Sequence, residues 1–317
     1  MIITVTLNPA MDLTLEVPGW ESGELNRATA VRKSVGGKGI NVSRVLRELG
    51  EPTVALTVVG SDTVQEFQRL ARSAGFSIVY INMPGEMRTN IQIIDPASAR
   101  SLKVNQPGTP MEASHLEHFR LLYKQQLQRA RMVALGGSLP PGSPPNTYAA
   151  LAAMATQRNR PVLIDAEGPA LLEALAENPL VAKPNRQELE HTLDTTLSTT
   201  EEIVAAAREL VARGARSAVV TDGADIVVGV WENECWIATP PRIEVQGTMG
   251  AGDSFAAGLL FGLAAKKSFP ESLALGVAAS AATCATPQGH IGTRAEVEAL
   301  LPRVEVRRHR KGIGNRE

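Results

Sequence analysis

Short apolar runs rich in β-branched residues alternate with longer segments of helical period along most of this 317-residue chain. Each run has the length of a strand that is buried on both faces. Parallel strands need crossover connections, and strands buried on both faces need helices on both sides. The alternation therefore predicts an α/β protein whose mostly parallel sheet lies between layers of helices, with strands at residues 2–7, 53–59, 132–135, 162–165 and 217–221.

One helix is predicted clearly by the spacing of its apolar residues. Val42, Val45, Leu46 and Leu49 lie at positions i, i+3, i+4 and i+7, and Gly50 follows where a left-handed C-cap residue is favoured. The predicted helices include residues 40–49, residues 63–74 with Gly75 after them, and residues 256–265.

Two stretches, residues 13–35 and 88–104, are polar, alternate in hydrophobicity and lack a helical period. Both adjoin basic or glycine-rich segments, so we predict that they form a small β-sheet that acts as a lid over a binding site. A pair of surface hairpins is the alternative. No low-complexity linker divides the chain, so residues 1–317 are predicted to form a single domain, with residues 307–316 as a frayed basic end.

The overall composition limits the partners of the chain. Its 32 basic and 33 acidic residues give a net charge of −1, so no global field favours nucleic acid or an anionic membrane. Cys235 and Cys284 lack metal-site spacing, and the first residues have the pattern of a strand and not of a secretory signal. No apolar stretch approaches the roughly 20 residues needed to cross a bilayer. We expect a cytoplasmic protein that binds neither nucleic acid nor membrane.

A glycine-rich loop opens directly into an apolar helix at residues 247–255, Gly-Thr-Met-Gly-Ala-Gly-Asp-Ser-Phe. The backbone N–H groups of Gly250, Ala251 and Gly252 can converge on one anion because the side chains are absent or small, and the helix N-terminus adds positive charge. Asp253 beside them suits a base that accepts a hydroxyl proton while the amides hold a transferred phosphoryl group. An N-cap role explains an aspartate but not the residues before it.

A second glycine-rich segment, Gly-Gly-Lys-Gly-Ile-Asn at residues 36–41, also leads into a helix. It is not a phosphate-binding loop of the Walker A type, because Lys38 is followed by glycine and not by serine or threonine. Its backbone can approach a polyol closely, with Lys38 and Asn41 as hydrogen-bond donors. By itself, the segment could be an isolated tight turn.

A third motif, Lys-Pro-Asn-Arg-Gln-Glu, occupies residues 183–188 at the junction of a predicted strand and helix, with Pro184 expected in the first helical turn. Asn185 and Glu188 are three residues apart and therefore share a helical face, where they could organise water around Mg²⁺ bound to ATP phosphates. A simple helix start is an equally good interpretation.

Further polar loops follow two of the predicted strands. Ser138 lies in a glycine- and proline-rich loop at residues 136–142, and Thr221 and Gly223 follow the strand at residues 217–221. Ligands of open α/β sheets bind at the carboxyl ends of strands. Arg27 and Arg88 come from the predicted lid, and their guanidinium groups are suited to gripping a phosphate, although a lone arginine is usually a solvated surface residue.

Taken together and in this order, these segments resemble the pfkB group of the ribokinase-like sugar kinases over nearly the whole chain. The resemblance rests on residues 36–41, on Asn185 with Glu188, and on Gly-Ala-Gly-Asp at residues 250–253. It implies a ribokinase-like three-layer α/β/α fold with a small β-sheet lid. It also implies a transferase that uses ATP and Mg²⁺, permits a homodimer through the lid, and leaves open a monovalent cation near residues 286–292.

The opening residues 6–12, Thr-Leu-Asn-Pro-Ala-Met-Asp, are similar to the branch of the family that acts on sugar phosphates. The resemblance implies that Asp253, beside the amides of Gly250, Ala251 and Gly252, deprotonates the acceptor. It implies three further sets of residues. The sugar-phosphate set is Asp12, Arg27, Gly36, Gly37, Lys38, Asn41, Arg88, Asn90 and Ser138; the ATP set is Lys183, Asn185, Thr221, Gly223, Thr248, Gly250 and Gly252; the metal acts through water with Asn185 and Glu188.

The substrate is narrowed but not fixed by these residues. The Arg88-Thr89-Asn90 spacing together with Lys38 is most similar to kinases that convert fructose 1-phosphate to fructose 1,6-bisphosphate. Fructose 6-phosphate and tagatose 6-phosphate are the alternative substrates. A non-catalytic sugar-phosphate sensor is the alternative from a different class, because a fold alone does not establish activity.

Overall fold

The computed structural model describes residues 1–72, 75–98, 100–287 and 290–309 and contains a large and a small β-sheet. The strands, in chain order, are β1 Ile2–Thr6, β2 Ala10–Glu16, β3 Ala30–Gly36, β4 Thr53–Gly60, β5 Ser77–Met83, β6 Arg88–Ile94, β7 Ser101–Asn105, β8 Met132–Gly136, β9 Val162–Asp165, β10 Val181–Ala182, β11 Ser217–Asp222, β12 Ile226–Trp231, β13 Glu234–Thr239 and β14 Glu305–Arg308.

Ten α-helices occur in the described part of the chain, and most of them connect the strands of the large sheet. They are α1 Lys38–Glu48, α2 Val64–Arg72, α3 Ala113–Gln126, α4 Thr147–Thr156, α5 Gly168–Leu175, α6 Arg186–Leu193, α7 Thr200–Ala212, α8 Ala251–Ala264, α9 Phe269–Cys284 and α10 Arg294–Leu300. None of these helices is both long and apolar enough to span a membrane.

The large sheet confirms the predicted architecture. Its strand order is β14-β13-β12-β11-β10-β9-β8-β1-β4-β5, and every pairing from β11 to β5 is parallel. The five predicted strands are β1, β4, β8, β9 and β11, each within one residue of its predicted end. At one edge, β12, β13 and β14 continue the sheet in antiparallel fashion.

Two hydrophobic layers cover the large sheet, because successive side chains of a strand point to opposite faces. Ile3 of β1 lies in a layer formed with α3 to α7, and Ile2 lies in a layer formed with α1, α8 and α9. The buried side chains that join the helices to the sheet include Phe119, Tyr148, Leu171, Leu189 and Leu210 on the first side and Val45, Phe255, Leu259 and Leu273 on the second. The fold is therefore a three-layer α/β/α fold.

The small sheet is built from the two stretches predicted to form the lid. Its order is β3-β2-β6-β7, and β2 and β6 pair in parallel, which joins both stretches in one sheet and excludes two separate hairpins. The sheet begins at Ala10, earlier than predicted, because only a short turn separates β1 from β2.

Some predicted boundaries are wrong. The helix predicted at residues 256–265 begins at Ala251, because Gly250 adopts a left-handed conformation with φ of 77° and acts as its N-cap. The helix predicted at residues 63–74 spans Val64–Arg72, and its last predicted residue, Ala74, lies outside the described residues. Arg307 and Arg308 are not frayed, because they pair with β13, whereas residues 310–317 lie outside the described part.

Candidate active site

Several of the predicted site residues lie at the carboxyl edge of the large sheet. Asp165 is the last residue of β9, Lys183 follows β10 directly, and the loop after β8 carries Ser138. Strands β8 to β11 are parallel neighbours, so their carboxyl ends meet at one edge. Helices α1 and α8 begin at the same edge, and they bring Lys38 and Asp253 to it.

Asp253 lies in the first turn of α8, and its Oδ2 accepts a 2.8 Å hydrogen bond from Nδ2 of Asn41. The helix N-cap is Gly250, so Asp253 is not the capping residue. A Cβ placed on Gly252 would meet no atom within 4 Å, so the space in front of this residue is open. The amide of Ala251 makes a long contact of 3.4 Å with the Thr248 carbonyl. The start of α8 thus presents a carboxylate and a positive helix end to open space.

The electrostatic surroundings of Asp253 make it a weaker acid than an ordinary aspartic acid. Burial raises the pKa of Asp253 to about 6, and the negative charge of Asp165 adds to the increase. The hydrogen bond from Asn41 and the positive charges of Lys38 and Lys183 act in the opposite direction. A carboxyl group with a pKa near 6 is ionised at neutral pH and is still a useful proton acceptor.

A buried ion-pair network lies beside Asp253. Nζ of Lys38 donates to Asp165 Oδ1 at 2.7 Å and to Glu188 Oε1 at 2.8 Å, and Nζ of Lys183 lies 3.1 Å from Asp165 Oδ2. Burial alone would raise the pKa of Asp165, but the charges of Lys183 and Lys38 hold it below its usual value. Burial likewise opposes the charge of Lys38, yet Asp165 and Glu188 raise the pKa of Lys38 above its usual value.

Sequence reasoning missed Asp165, although it identified the strand that Asp165 ends. An acidic residue at the carboxyl end of a buried strand was the available signal, since a charge there must find partners. Its partners are Lys38 on α1 and Lys183 after β10. They come close to Asp165 only because of the strand order, which the sequence does not show directly.

Asn185 and Glu188 form a capping box at the start of α6, which confirms the helix-start interpretation of this motif. Asn185 Oδ1 accepts from the Glu188 amide at 2.8 Å, and Glu188 Oε2 accepts from the Asn185 amide at 2.8 Å. Pro184 lies before the cap and not in the first turn, because the helix begins at Arg186. The role of this pair near a metal stays a prediction.

The donor set fits a metal ion bound mainly through water and ligand phosphates. Within the described ranges, no group of three or more His, Cys, Asp or Glu side chains could hold a metal ion. Mg²⁺ commonly keeps several waters and takes one or two protein carboxylates together with substrate phosphates. Glu188 lies at this edge, but its Oε1 already accepts from Lys38 and its Oε2 from the Asn185 amide, so the residues present would hold Mg²⁺ through water and would not form a protein cage.

The loop at residues 36–39 packs so tightly that its glycines are required. A Cβ on Gly36 would lie 1.8 Å from Asp12 Oδ2, and a Cβ on Gly39 would lie 2.6 Å from the Val5 carbonyl oxygen. Gly37 has φ of 129°, which favours glycine. The loop therefore fixes the distance between Asp12 on the small sheet and the start of α1.

Asp12 and Asn90 are register partners on β2 and β6, and Nδ2 of Asn90 donates to Asp12 Oδ1 at 3.0 Å. Burial raises the pKa of Asp12, while the Asn90 hydrogen bond and the charge of Arg44 oppose the increase. Oδ1 of Asn90 is buried without a hydrogen-bond partner among the described residues. Asp12, Asn41 and Gly250 line a cleft of about 280 Å³ between the small sheet and α8.

Arg88 and Ser138 meet through Asn8, which sequence reasoning did not single out. The Arg88 guanidinium donates to the carbonyl oxygen of Asn8 at 2.8 Å and to that of Gln106 at 3.1 Å. Nδ2 of Asn8 donates to Ser138 Oγ at 3.1 Å. Arg27 is exposed on the loop between β2 and β3, and no hydrogen bond or ion pair among the described residues joins it to this group.

The remaining predicted residues are Thr221 and Gly223, at the end of β11 and just after it, and Thr248, before α8. Thr221 forms an isolated bridge with Asn185, and a Cβ on Gly223 would face open space. Within the segment 286–292, Gln288 and Gly289 lie outside the described residues.

Comparison with known proteins places this arrangement in context. The sequence profile of the pfkB family carbohydrate kinases matches residues 5–295. A 1-phosphofructokinase of Bacillus subtilis is 33% identical over 97% of this chain and 100% of its own length.

Solved structures give the same picture. A possible 1-phosphofructokinase of Thermotoga maritima has a TM-score of 0.90 at 26% identity, covering 98% of this chain and 100% of the other. Phosphofructokinase-2 of Escherichia coli in complex with potassium has a TM-score of 0.88 at 27% identity, covering 95% and 98%. A ribokinase of Arabidopsis thaliana, at 20% identity, 95% and 98% coverage and a TM-score of 0.75, shares the fold.

Replacing Asp165 by Asn is expected to lower the free energy of unfolding at pH 7 by about 3–5 kcal/mol, because Lys183 and Lys38 lose their shared carboxylate in a buried site. The pKa of Asp165 is lowered in the folded chain, so its contribution is present at neutral pH and is lost as the pH falls through that lowered pKa. Urea denaturation of Asp165→Asn and the unmodified chain at neutral and acidic pH measures the difference.

The matched control is Asp222→Asn, which disrupts the more exposed pair with Arg186 and should cost about 0–1 kcal/mol. Equal losses for the two variants would show that the network around Asp165 is no more important than a surface pair.

Proposed function

The chain belongs to the pfkB family of carbohydrate kinases, and from this premise we propose that it transfers the γ-phosphoryl group of ATP to a hydroxyl of fructose 1-phosphate. The product is fructose 1,6-bisphosphate. The enzyme class, a phosphotransferase with a hydroxyl acceptor, follows from the family. The proposal includes the cytoplasmic location that the sequence predicts.

One observation carries this proposal: the Asp253 carboxylate stands at the start of α8 beside the open space over Gly252. Asp253 accepts the proton of the acceptor hydroxyl, and the helix start stabilises negative charge on the phosphoryl group in transfer. The hydrogen bond from Asn41 fixes which carboxylate oxygen remains free for the proton, since Oδ2 is already bonded at 2.8 Å. Transfer is direct, without a covalent enzyme intermediate.

The sugar phosphate lies between Asp253 and the small sheet in this proposal. Asp12, Asn90 and Asn41 meet the sugar hydroxyls in this proposal, and Asp12 and Asn41 line the cleft between the small sheet and α8. Arg88 and Ser138, joined through Asn8, hold the phosphate at the end remote from Asp253. A phosphate held far from the base leaves the opposite end of the sugar to react, which gives a bisphosphate.

The geometry limits how two of the predicted residues, Lys38 and Arg27, could contact a phosphate. The ammonium of Lys38 is bonded to Asp165 and Glu188, so it acts on phosphates mainly as part of a charged network. Arg27 reaches the sugar only if the loop between β2 and β3 moves or if a second copy supplies it.

ATP lies on the opposite side of the edge in this proposal, along Lys183, Asn185, Thr221, Gly223 and Thr248. Asn185 and Glu188 would organise water around Mg²⁺, which would supply positive charge against the ATP phosphates. A monovalent cation near residues 286–292 is part of the same proposal, in view of the potassium complex of phosphofructokinase-2.

Fructose 6-phosphate and tagatose 6-phosphate differ from fructose 1-phosphate in a phosphate position or a stereocentre, so a substrate panel separates them. We expect the highest kcat/KM for fructose 1-phosphate in a coupled assay of ADP release. A higher value for an unphosphorylated sugar would overturn the proposal. Sugar-phosphate binding without any ADP release would favour the sensor.

Asp253→Asn is expected to lower kcat by about a hundred- to ten-thousandfold, the range for loss of a general base, while ATP binding persists. Burial disfavours the ionised carboxylate, so the asparagine variant should melt at the same temperature or higher at pH 7. Single-turnover kinetics, calorimetric ATP binding and thermal melting measure the three quantities. Turnover close to that of the unmodified chain would remove Asp253 from this role.

A homodimer through the small sheet is the second part of the proposal. The register places Leu13, Leu15, Val31, Ile91, Ile93, Leu102 and Val104 on one face, away from Asp12 and Asn90. Val31 is 59% exposed, Val104 49% and Leu102 43%. A contiguous aliphatic face of this kind is unusual on a monomer, and a two-fold pairing of identical faces would cover it.

The double variant Leu102→Asp with Val104→Asp is expected to be monomeric under conditions where the unmodified chain is dimeric, because two charges would be buried in the interface. Light scattering coupled to size exclusion measures the mass. Lys103→Asp is the control, since Lys103 lies on the same strand but on the opposite face. Identical masses for the double variant and the unmodified dimer would place the interface elsewhere.

A further inference from the structure

Arg44 lies one helical turn after Asn41 on α1, and its guanidinium makes two hydrogen bonds. Nη1 donates to Asn41 Oδ1 at 3.2 Å, and Nη2 donates to the carbonyl oxygen of Val35 at 2.9 Å. Val35 belongs to β3 of the small sheet and directly precedes the tight turn at Gly36. One side chain therefore connects α1, the small sheet and, through Asn41, the catalytic aspartate.

The contact with Oδ1 determines which end of the Asn41 amide faces Asp253. An asparagine amide has a donor end and an acceptor end of nearly the same shape, so its orientation is set by its partners. Arg44 can only donate, so it holds the Oδ1 end and leaves Nδ2 to donate to Asp253 Oδ2 at 2.8 Å. The reversed amide would place an oxygen against the carboxylate and an NH₂ group against the guanidinium.

Arg44 also lines the cleft between the small sheet and α8, together with Asp12 and Gly250. Burial lowers the pKa of Arg44, and the carboxylates of Asp12 and Asp253 act against that decrease. A guanidinium remains charged under any physiological condition. The residue is thus a permanent cation between the two carboxylates of the proposed sugar site.

We propose that Arg44 is a positioning residue that fixes the Asn41 amide as a donor to Asp253 and ties this arrangement to the small sheet through Val35. The inference rests on the proposed kinase function, since it gives Arg44 a role in the reaction through Asp253. Arg44 itself contacts neither reacting atom; it acts by setting the geometry of Asn41.

Several other charged groups surround Asp253, and each must be unchanged for the test to be clear. They are Asp165 at the end of β9, Lys38 on α1 and Lys183 after β10, while Asp12 on β2 acts on Arg44. Loss of the Asn41 hydrogen bond removes one of the influences that lower the pKa of Asp253. Asp253 then becomes ionised only at a higher pH, so the acid limb of the pH–activity profile moves to higher pH.

The test compares Arg44→Met and Arg44→Lys with Arg47→Met, an exposed arginine on the same helix. For Arg44→Met we expect kcat/KM for the sugar phosphate to fall about ten- to a hundredfold, the range for losing one hydrogen bond to a charged group. The acid limb of the pH profile should move to higher pH. Arg44→Lys should be intermediate and Arg47→Met unchanged.

The substrate ionises identically in the assay of every variant. A difference in the position of the acid limb therefore arises from a group of the protein. Thermal melting and ATP binding check that each variant is folded. If Arg44→Met does not fold, Arg44→Lys decides the question, and an unmoved acid limb in that variant would overturn the inference.

A double variant distinguishes positioning from simple structural support. In the Asn41→Ala background, Arg44→Lys, which keeps the positive charge near Asp253, should change neither the acid limb nor kcat/KM appreciably, because the group that Arg44 positions is gone. Additive losses, or lower activity with an unmoved limb, would overturn the role. Absence of phosphoryl transfer by the unmodified chain would instead contradict the proposed function, so the two failures are separable.

Discussion

The structure depends on keeping an ionised, half-buried carboxylate beside the start of a helix. Asp253 is partly withdrawn from water and lies near a second carboxylate, Asp165, and both effects disfavour its charge. Lys38, Lys183 and the Asn41 amide stabilise the ionised form enough for Asp253 to be charged at neutral pH. Because Lys38 and Asn41 lie on α1, Lys183 follows β10 and Asp165 ends β9, the parallel strand order and the two helix starts are all needed to assemble the site.

Much of this could be predicted from the sequence. Apolar runs of strand length gave five strands of the large sheet, and the loop that precedes Asp253 identified the helix start beside which the base lies. Those predictions succeed because they depend on local spacing and on the conformational freedom of glycine. The start of α8 was placed too late, because Gly250 in its left-handed conformation caps the helix and the helix continues through Gly252 despite the low helix propensity of glycine.

Residues that act through distant partners were not predicted. Asp165 contacts Lys183 only because β9 and β10 are neighbours in the sheet. Asn8 contacts Ser138 only because the turn after β1 lies against the loop after β8. Arg44 looks like an ordinary helical arginine until β3 is placed beside α1. In each case the missing information is the pairing of elements far apart in the chain.

The most direct test of this account is the titration of the Asp253 carboxyl group, followed by ¹³C NMR in protein labelled at aspartate and assigned by the resonance that Asp253→Asn lacks. Burial and the charge of Asp165 predict a pKa of about 6 for this group in the free protein. A midpoint at or below the ordinary aspartate value of about 4 would show that the carboxylate is solvated or fully neutralised, and would contradict the account.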